Sequence, residues 1–118
     1  MTKTMKPVLA AVVAALVSGA AGAQEIKLPT ALTVTAYETG SNGFNQAVAV
    51  GGMLKKRFNT DLRVLPAGND VARLAPLKAG RAHASAMGIG TYFAQEGVLE
   101  FATREWGPQP LQLMLSAS

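Results

Sequence analysis

The chain has 118 residues, 49% hydrophobic and 15% charged, with 11 Lys and Arg against 7 Asp and Glu and a formal charge of +4. That is enough for one small domain and excludes a two-domain enzyme or a repeat array; the apolar content excludes a disordered tail. With no cysteine and one histidine, a disulfide, a thiol nucleophile, a Cys-based zinc site and a His-rich metal centre are all excluded, and neither metal nor cofactor is expected.

Part of the positive charge sits at the very start. Met1–Lys6 holds two lysines, Val8–Val17 is an apolar run of ten residues, and Ser18–Ala23 is built of small residues ending in Ala21-Gly22-Ala23. This is the three-part layout of a secretory signal with an A-x-A cleavage site, and the run falls short of the roughly 20 residues of a membrane span. The expectation is a signal peptide over 1–23, cleavage after Ala23, a periplasmic mature chain of residues 24–118 and no membrane span after cleavage. Cysteine-free composition fits that compartment. Without Lys3 and Lys6, 9 basic side chains face 7 acidic ones, a balance that does not argue for a nucleic-acid partner. The one basic run, Lys55-Lys56-Arg57, suits the solvated end of a helix.

Beyond the leader, Ala31–Tyr37 is β-branched and alternating and predicts a strand. Glu38–Gly43 is a loop of small polar residues. Phe44–Phe58 predicts a helix whose inner face carries Phe44, Val48, Gly51, Leu54 and Phe58. Leu62–Leu65 predicts a second strand. Asp70 is expected to cap a helix beginning at Val71, with Leu74 and Leu77 inward, Pro76 shortening or bending it, and Gly80 stopping it. Ala84–Met87 predicts a third, small-residue strand, Thr91–Glu96 a helix that resumes over Val98–Glu105 after Gly97, and Leu111–Leu115 a fourth apolar strand. Strands alternating with helices through short connections predict an α/β fold, an open parallel sheet with helices on its faces.

In such a sheet, ligands bind beyond the carboxyl ends of the strands, at the helix N-termini. Three junctions qualify: Thr39–Phe44, Gly68–Val71 and Gly88–Tyr92, all rich in Gly, Ser, Asn or Thr. Free N–H groups and the helix dipole suit an anion, above all a carboxylate. The candidate ligand-binding residues are Ser41, Asn42, Gly43, Phe44, Asn69, Asp70, Val71, Arg73, Gly90, Thr91 and Tyr92. Hydroxyl and amide groups supply donors, Tyr92 an apolar wall with a polar tip, and Asp70 an acceptor for a ligand amine or simply a helix cap. Enzyme readings are thin. His83 precedes a strand and is expected to be exposed, no G-x-S-x-G elbow accompanies Ser41, no Gly-Lys-Ser/Thr phosphate loop exists, and Gly88-Ile89-Gly90 lacks the third glycine of a dinucleotide fingerprint. No catalytic residue is expected.

The order of motifs resembles a known family. Leu32-Thr33-Val34-Thr35 leads to Gly43-Phe44 and Gly51-Gly52-Met53-Leu54; Val64-Leu65-Pro66-Ala67-Gly68 leads to Asp70-Val71-Ala72-Arg73-Leu74; and Leu77-Lys78-Ala79-Gly80-Arg81-Ala82 leads to Tyr92-Phe93-Ala94-Gln95-Glu96-Gly97. Over roughly residues 31–115 this is similar to the TAXI type of TRAP-transporter solute receptors, periplasmic binding proteins of the type II fold. The resemblance implies two lobes with a small organic anion between them, a dicarboxylate or an acidic or amide amino acid, passed to the membrane subunits of a TRAP-type transporter. It further implies that residues 24–118 are the N-terminal lobe of a longer receptor, a fragment without its second lobe. At the second junction the family has Gly-Ser-Val-x-Asn-Leu where this chain has Asn69-Asp70-Val71-Ala72-Arg73-Leu74, so Asp replaces the capping Ser and Arg the Asn, and Arg73 could offer a cation to a carboxylate. The alternative reading is the ligand-sensing lobe of a transcriptional regulator, which shares the architecture but not the leader. A small secreted enzyme is the third.

Overall fold

A computed structural model describes residues 25–116; the expected leader and cleavage site lie outside the described residues. Three strands form one parallel sheet in the order β2-β1-β3: β1 spans Ala31–Ala36, β2 Asp61–Pro66 and β3 Ala84–Ser85. The register pairs Ala31 with Asp61 through Ala36 with Pro66 on one side, and Val34 with Ala84 and Thr35 with Ser85 on the other. The fold is thus the α/β class expected, an open parallel sheet with flanking helices.

The first helix, α1, spans Asn42–Phe58. It starts two residues earlier than the apolar pattern predicts because Ser41, in extended backbone, accepts the Phe44 N–H on its hydroxyl at 3.2 Å. It stops at Asn59, which adopts φ 52° and turns its N–H back on the Leu54 and Lys55 carbonyls. Lys55, Lys56 and Arg57 occupy its last turn, where they favour the negative end of the dipole. Lys55 also pairs with Asp61 at 2.9 Å, both side chains well exposed. The expected apolar stripe is rotated. Ala47 is the buried residue of α1, whereas Val48 is 49% exposed and Phe58 40%. The contact explains the shift: a Cβ on Gly51 would stand 3.2 Å from the Leu62 Cβ. Small residues at 47 and 51 let the helix lie close on the sheet, and bulky Val48 is turned out.

The second helix, α2, spans Asp70–Lys78 and packs on the opposite face of the sheet. Thr35 marks that face. It points away from the side of Leu32, Val34 and Leu62, and its buried hydroxyl makes 2.8 Å bonds to the Arg73 carbonyl and to the Ser85 hydroxyl. With one proton, it donates to the carbonyl and accepts the Ser85 O–H. Asp70 is not the cap. Asn69 is, its Oδ1 accepting the Ala72 N–H at 2.8 Å from extended backbone, while Asp70 is the first helical residue. An anionic residue there suits the dipole without capping. Pro76 lies inside the helix, which runs nine residues. Gly80, at φ 68°, carries the chain out.

The third helix, α3, spans Gly90–Glu96 and ends at Gly97 with φ 65°. Here the chain departs from the expected pattern twice. Helix does not resume over Val98–Glu105: one 3-10 turn, Leu99–Phe101, forms and then ends. Leu99 itself takes φ 53°, a left-handed backbone that a helix cannot continue through. Nor does Leu111–Leu115 form a fourth strand. It lies unpaired, with Leu113, Met114 and Leu115 between 74% and 78% exposed. The core on the α2 face is Leu74, Ala94 and Phe101, each at most 2% exposed, with Val71, Leu77, Met87, Phe93, Trp106 and Leu111 packed round it. Phe101 meets Trp106 edge-on at 5.2 Å.

Candidate functional site

Order β2-β1-β3 puts consecutive connections on opposite faces, so the order reverses between β1 and β3, the place where open α/β sheets leave a crevice. The loops leaving the carboxyl ends of all three strands meet there. Tyr37, the residue after β1, is the side chain they share. Its ring rests on Gly43 at the start of α1, so closely that a Cβ on Gly43 would collide with it. A Cβ on Gly88, after β3, would stand 3.0 Å from the Tyr37 hydroxyl. The Arg73 guanidinium lies over the same ring at 3.9 Å, a cation–π contact.

Arg73 ties this aromatic to the other two junctions. It is only 4% exposed. Its Nη1 donates to the Ala67 carbonyl, just past β2, at 2.9 Å. Its Nη2 donates to Asp70 Oδ1 within the first turn of α2. The other Asp70 oxygen rests on Gly90, where a Cβ would overlap the carboxylate. Arg73 Nε is buried without any hydrogen-bond partner. Glu38 flanks the group, its Oε1 2.8 Å from where a Cβ on Gly68 would be.

Of the candidate residues, the structure therefore gathers Gly43, Asp70, Arg73 and Gly90 about Tyr37. Arg73 presents its positive charge to Asp70 rather than to solvent, and Asp70 is bound in return. Ser41 and Asn69 stand at the same edge with their side-chain oxygens engaged as helix caps. Thr91 follows Gly90 and is half-buried. Tyr92 is 57% exposed, its ring edge-on to Phe93 at 6.0 Å. Asn42 is exposed and Phe44 half-buried. Val71 belongs elsewhere, packed against the core of Leu74, Ala94 and Phe101. Sequence reasoning missed Tyr37 and Glu38, and had Gly88 only as the start of a junction. The available signal was an aromatic closing a strand immediately before a glycine-containing loop.

Other features lie apart. Grooves of about 610 and 500 Å³ are lined, respectively, by Glu25–Leu28 with Lys55–Asn59 and by residues of α2 with Trp106 and the segment after it, so neither coincides with the crevice. His83 is exposed, as expected, and accepts the Thr33 N–H on Nδ1 at 3.0 Å, which extends the β1–β3 ladder. Among the described residues no cluster of three His, Cys, Asp or Glu could hold a metal ion, and no helix is long and apolar enough to cross a membrane. Compared with known proteins, the chain matches no family model, no curated protein and no solved structure.

Proposed function

We propose that this chain is the ligand-binding lobe of an extracytoplasmic solute receptor that captures a small organic anion, a dicarboxylate or an acidic or amide amino acid, for the membrane subunits of a TRAP-type transporter. The observation that carries it is the convergence of three strand-to-helix junctions at the crevice between β1 and β3. That crevice is where open α/β sheets hold ligands. The architecture is compatible with one lobe of a periplasmic binding protein, in which a second lobe closes over the ligand like a hinge. The leader-like first 23 residues support export, and the order of motifs along the chain supports the receptor family.

A receptor of this kind acts by binding alone. In this reading the ligand meets the N–H groups that open α1 and α2 and the Thr91 hydroxyl, beside the ring of Tyr37. The test has two parts. N-terminal sequencing of periplasmic material should begin at Gln24. Thermal-shift titration against a panel of dicarboxylates and acidic and amide amino acids should raise the melting temperature with at least one member, and Thr91→Ala should weaken that response. Material starting at Met1 would sink the export claim, and a panel without any response would sink the ligand claim.

A further inference from the structure

One carboxylate of the crevice, that of Asp70, already sits on Arg73, and this host is not fully used. A guanidinium is planar, with Nε–H and one Nη2–H projecting side by side from the same edge, the geometry that grips both oxygens of one carboxylate. On Arg73 that edge is half occupied. Asp70 takes Nη2 with Oδ1, while Oδ2 rests on Gly90 instead of reaching Nε. Nε is left buried and without a partner in a residue that is 4% exposed. Orphaned donors of this kind are rare in folded proteins and call for an explanation. The remaining guanidinium contacts, Nη1 on the Ala67 carbonyl and the face on Tyr37, hold the edge in place whichever carboxylate stands before it.

We propose that the Nε–Nη2 edge of Arg73 is a carboxylate-binding site and that Asp70 is its internal occupant, replaced when a ligand carboxylate takes both donors. The proposal rests on the crevice being the ligand site and adds to it the seat of the carboxylate and a built-in competitor. A short residue tethered at i−3 can place one oxygen on Nη2, whereas a free carboxylate can satisfy Nη2 and Nε together. Asp70, being the less buried partner with its side chain 20% exposed, has somewhere to go: it moves toward water. Gly90 fits the exchange because the space beside it holds a carboxylate and no Cβ. The ligand class is then a small acid with an unhindered carboxylate, and binding is opposed by the energy of the internal pair.

Chemical rescue with acetate is the test. Asp70→Ala removes the occupant and leaves Arg73 unpaired, so its melting temperature falls. Acetate should restore it by roughly 6–11 °C at about ten times its dissociation constant, with chloride at equal ionic strength as the control, and the Arg73 Nε–H resonance in ¹⁵N-labelled protein should shift in step. Asp70→Asn, which keeps an oxygen for Nη2, serves if the alanine variant does not fold. With it, succinate should bind about tenfold tighter than to the unaltered protein, and Arg73→Lys should abolish the gain. No rescue, a stationary Nε–H resonance, or weaker succinate binding to Asp70→Asn each overturns the proposal. If those results come while succinate still shifts the amides of Ser41–Phe44 in the unaltered protein, the receptor reading stands and only the exchange falls. If acetate rescues the variant but the unaltered protein binds no acid, the site stands and the receptor reading falls.

Discussion

Phe101 sets the strongest test of the packing. It is fully buried, in a chain segment with only a single 3-10 turn to hold it. Phe101→Ala withdraws a side chain whose burial is worth about 1.5–3 kcal/mol by transfer. The cavity left against Leu74, Ala94 and Trp106 raises the cost to about 3–5 kcal/mol, because surrounding groups relax only in part. Total stability for a domain of this size is about 5–15 kcal/mol, so the variant should lose a large share of it. At about 4–8 °C per kcal/mol, the melting temperature should fall by roughly 12–40 °C. Urea unfolding followed by circular dichroism gives the free energy. Fluorescence reports the same packing locally, since Trp106 is the only tryptophan and lies on the Phe101 ring. The matched control is Leu113→Ala, also apolar but 78% exposed, which should change stability by less than about 0.5 kcal/mol. A loss below about 1 kcal/mol for Phe101, or a comparable loss for Leu113, would refute the assignment of core and surface in this part of the chain.

Three further expectations rest on single contacts. Asn69→Ala should cost about 0.5–2 kcal/mol and Asn69→Asp much less, since both Asn and Asp can accept the Ala72 N–H; equal losses in denaturant titration would remove Asn69 from the cap. Gly97→Ala should destabilise by more than about 1 kcal/mol, because φ is 65° and the new Cβ would stand 2.6 Å from the Pro108 nitrogen; a neutral or stabilising result would contradict that turn. The Lys55–Asp61 pair is exposed on both sides, so Asp61→Asn should change stability by about 0–1 kcal/mol, with the difference shrinking in 1 M salt; a larger, salt-independent loss would show a buried pair instead.

Most elements are legible in the amino-acid sequence for a common reason. β1, α1, β2, α2 and α3 each carry their signal locally, in β-branched alternation, in spacings of three and four, or in a glycine stop. The failures are residues whose state is decided by a partner. Leu111–Leu115 has strand-like composition, yet a strand exists only where another strand meets it, and none does. Val98–Glu105 has helical spacing, but the left-handed backbone of Leu99 breaks it. The phase of the α1 stripe depended on Leu62, which rewarded the smaller residues of the helix. At the candidate site, the junctions themselves were legible as glycine-rich loops. The Tyr37–Arg73–Asp70 stack was not, because it joins groups distant in sequence and no periodicity predicts which side chain fills the space a glycine leaves. The same holds for Asn69 and Asp70, adjacent residues of similar capping power whose roles are separated by their backbone dihedrals.

The middle strand of the sheet is also the first to be made. β1 pairs along its full length with β2 and at two positions with β3, and the Thr35–Ser85 bond joins residues 50 apart. A nascent chain reaching only the end of α1 therefore has a helix and an unpaired strand, and none of the sheet's ladder bonds can yet form. Each crossover must close a long loop before any pairing rewards it, the circumstance in which folding is slow. During synthesis β1 exposes two bare edges and its apolar side chains until Asp61–Pro66 emerges, and one edge until Ala84 arrives. The three-stranded sheet therefore stays incomplete until Ser85 has been made, and in that interval the open edges of β1 are free to pair with other strands.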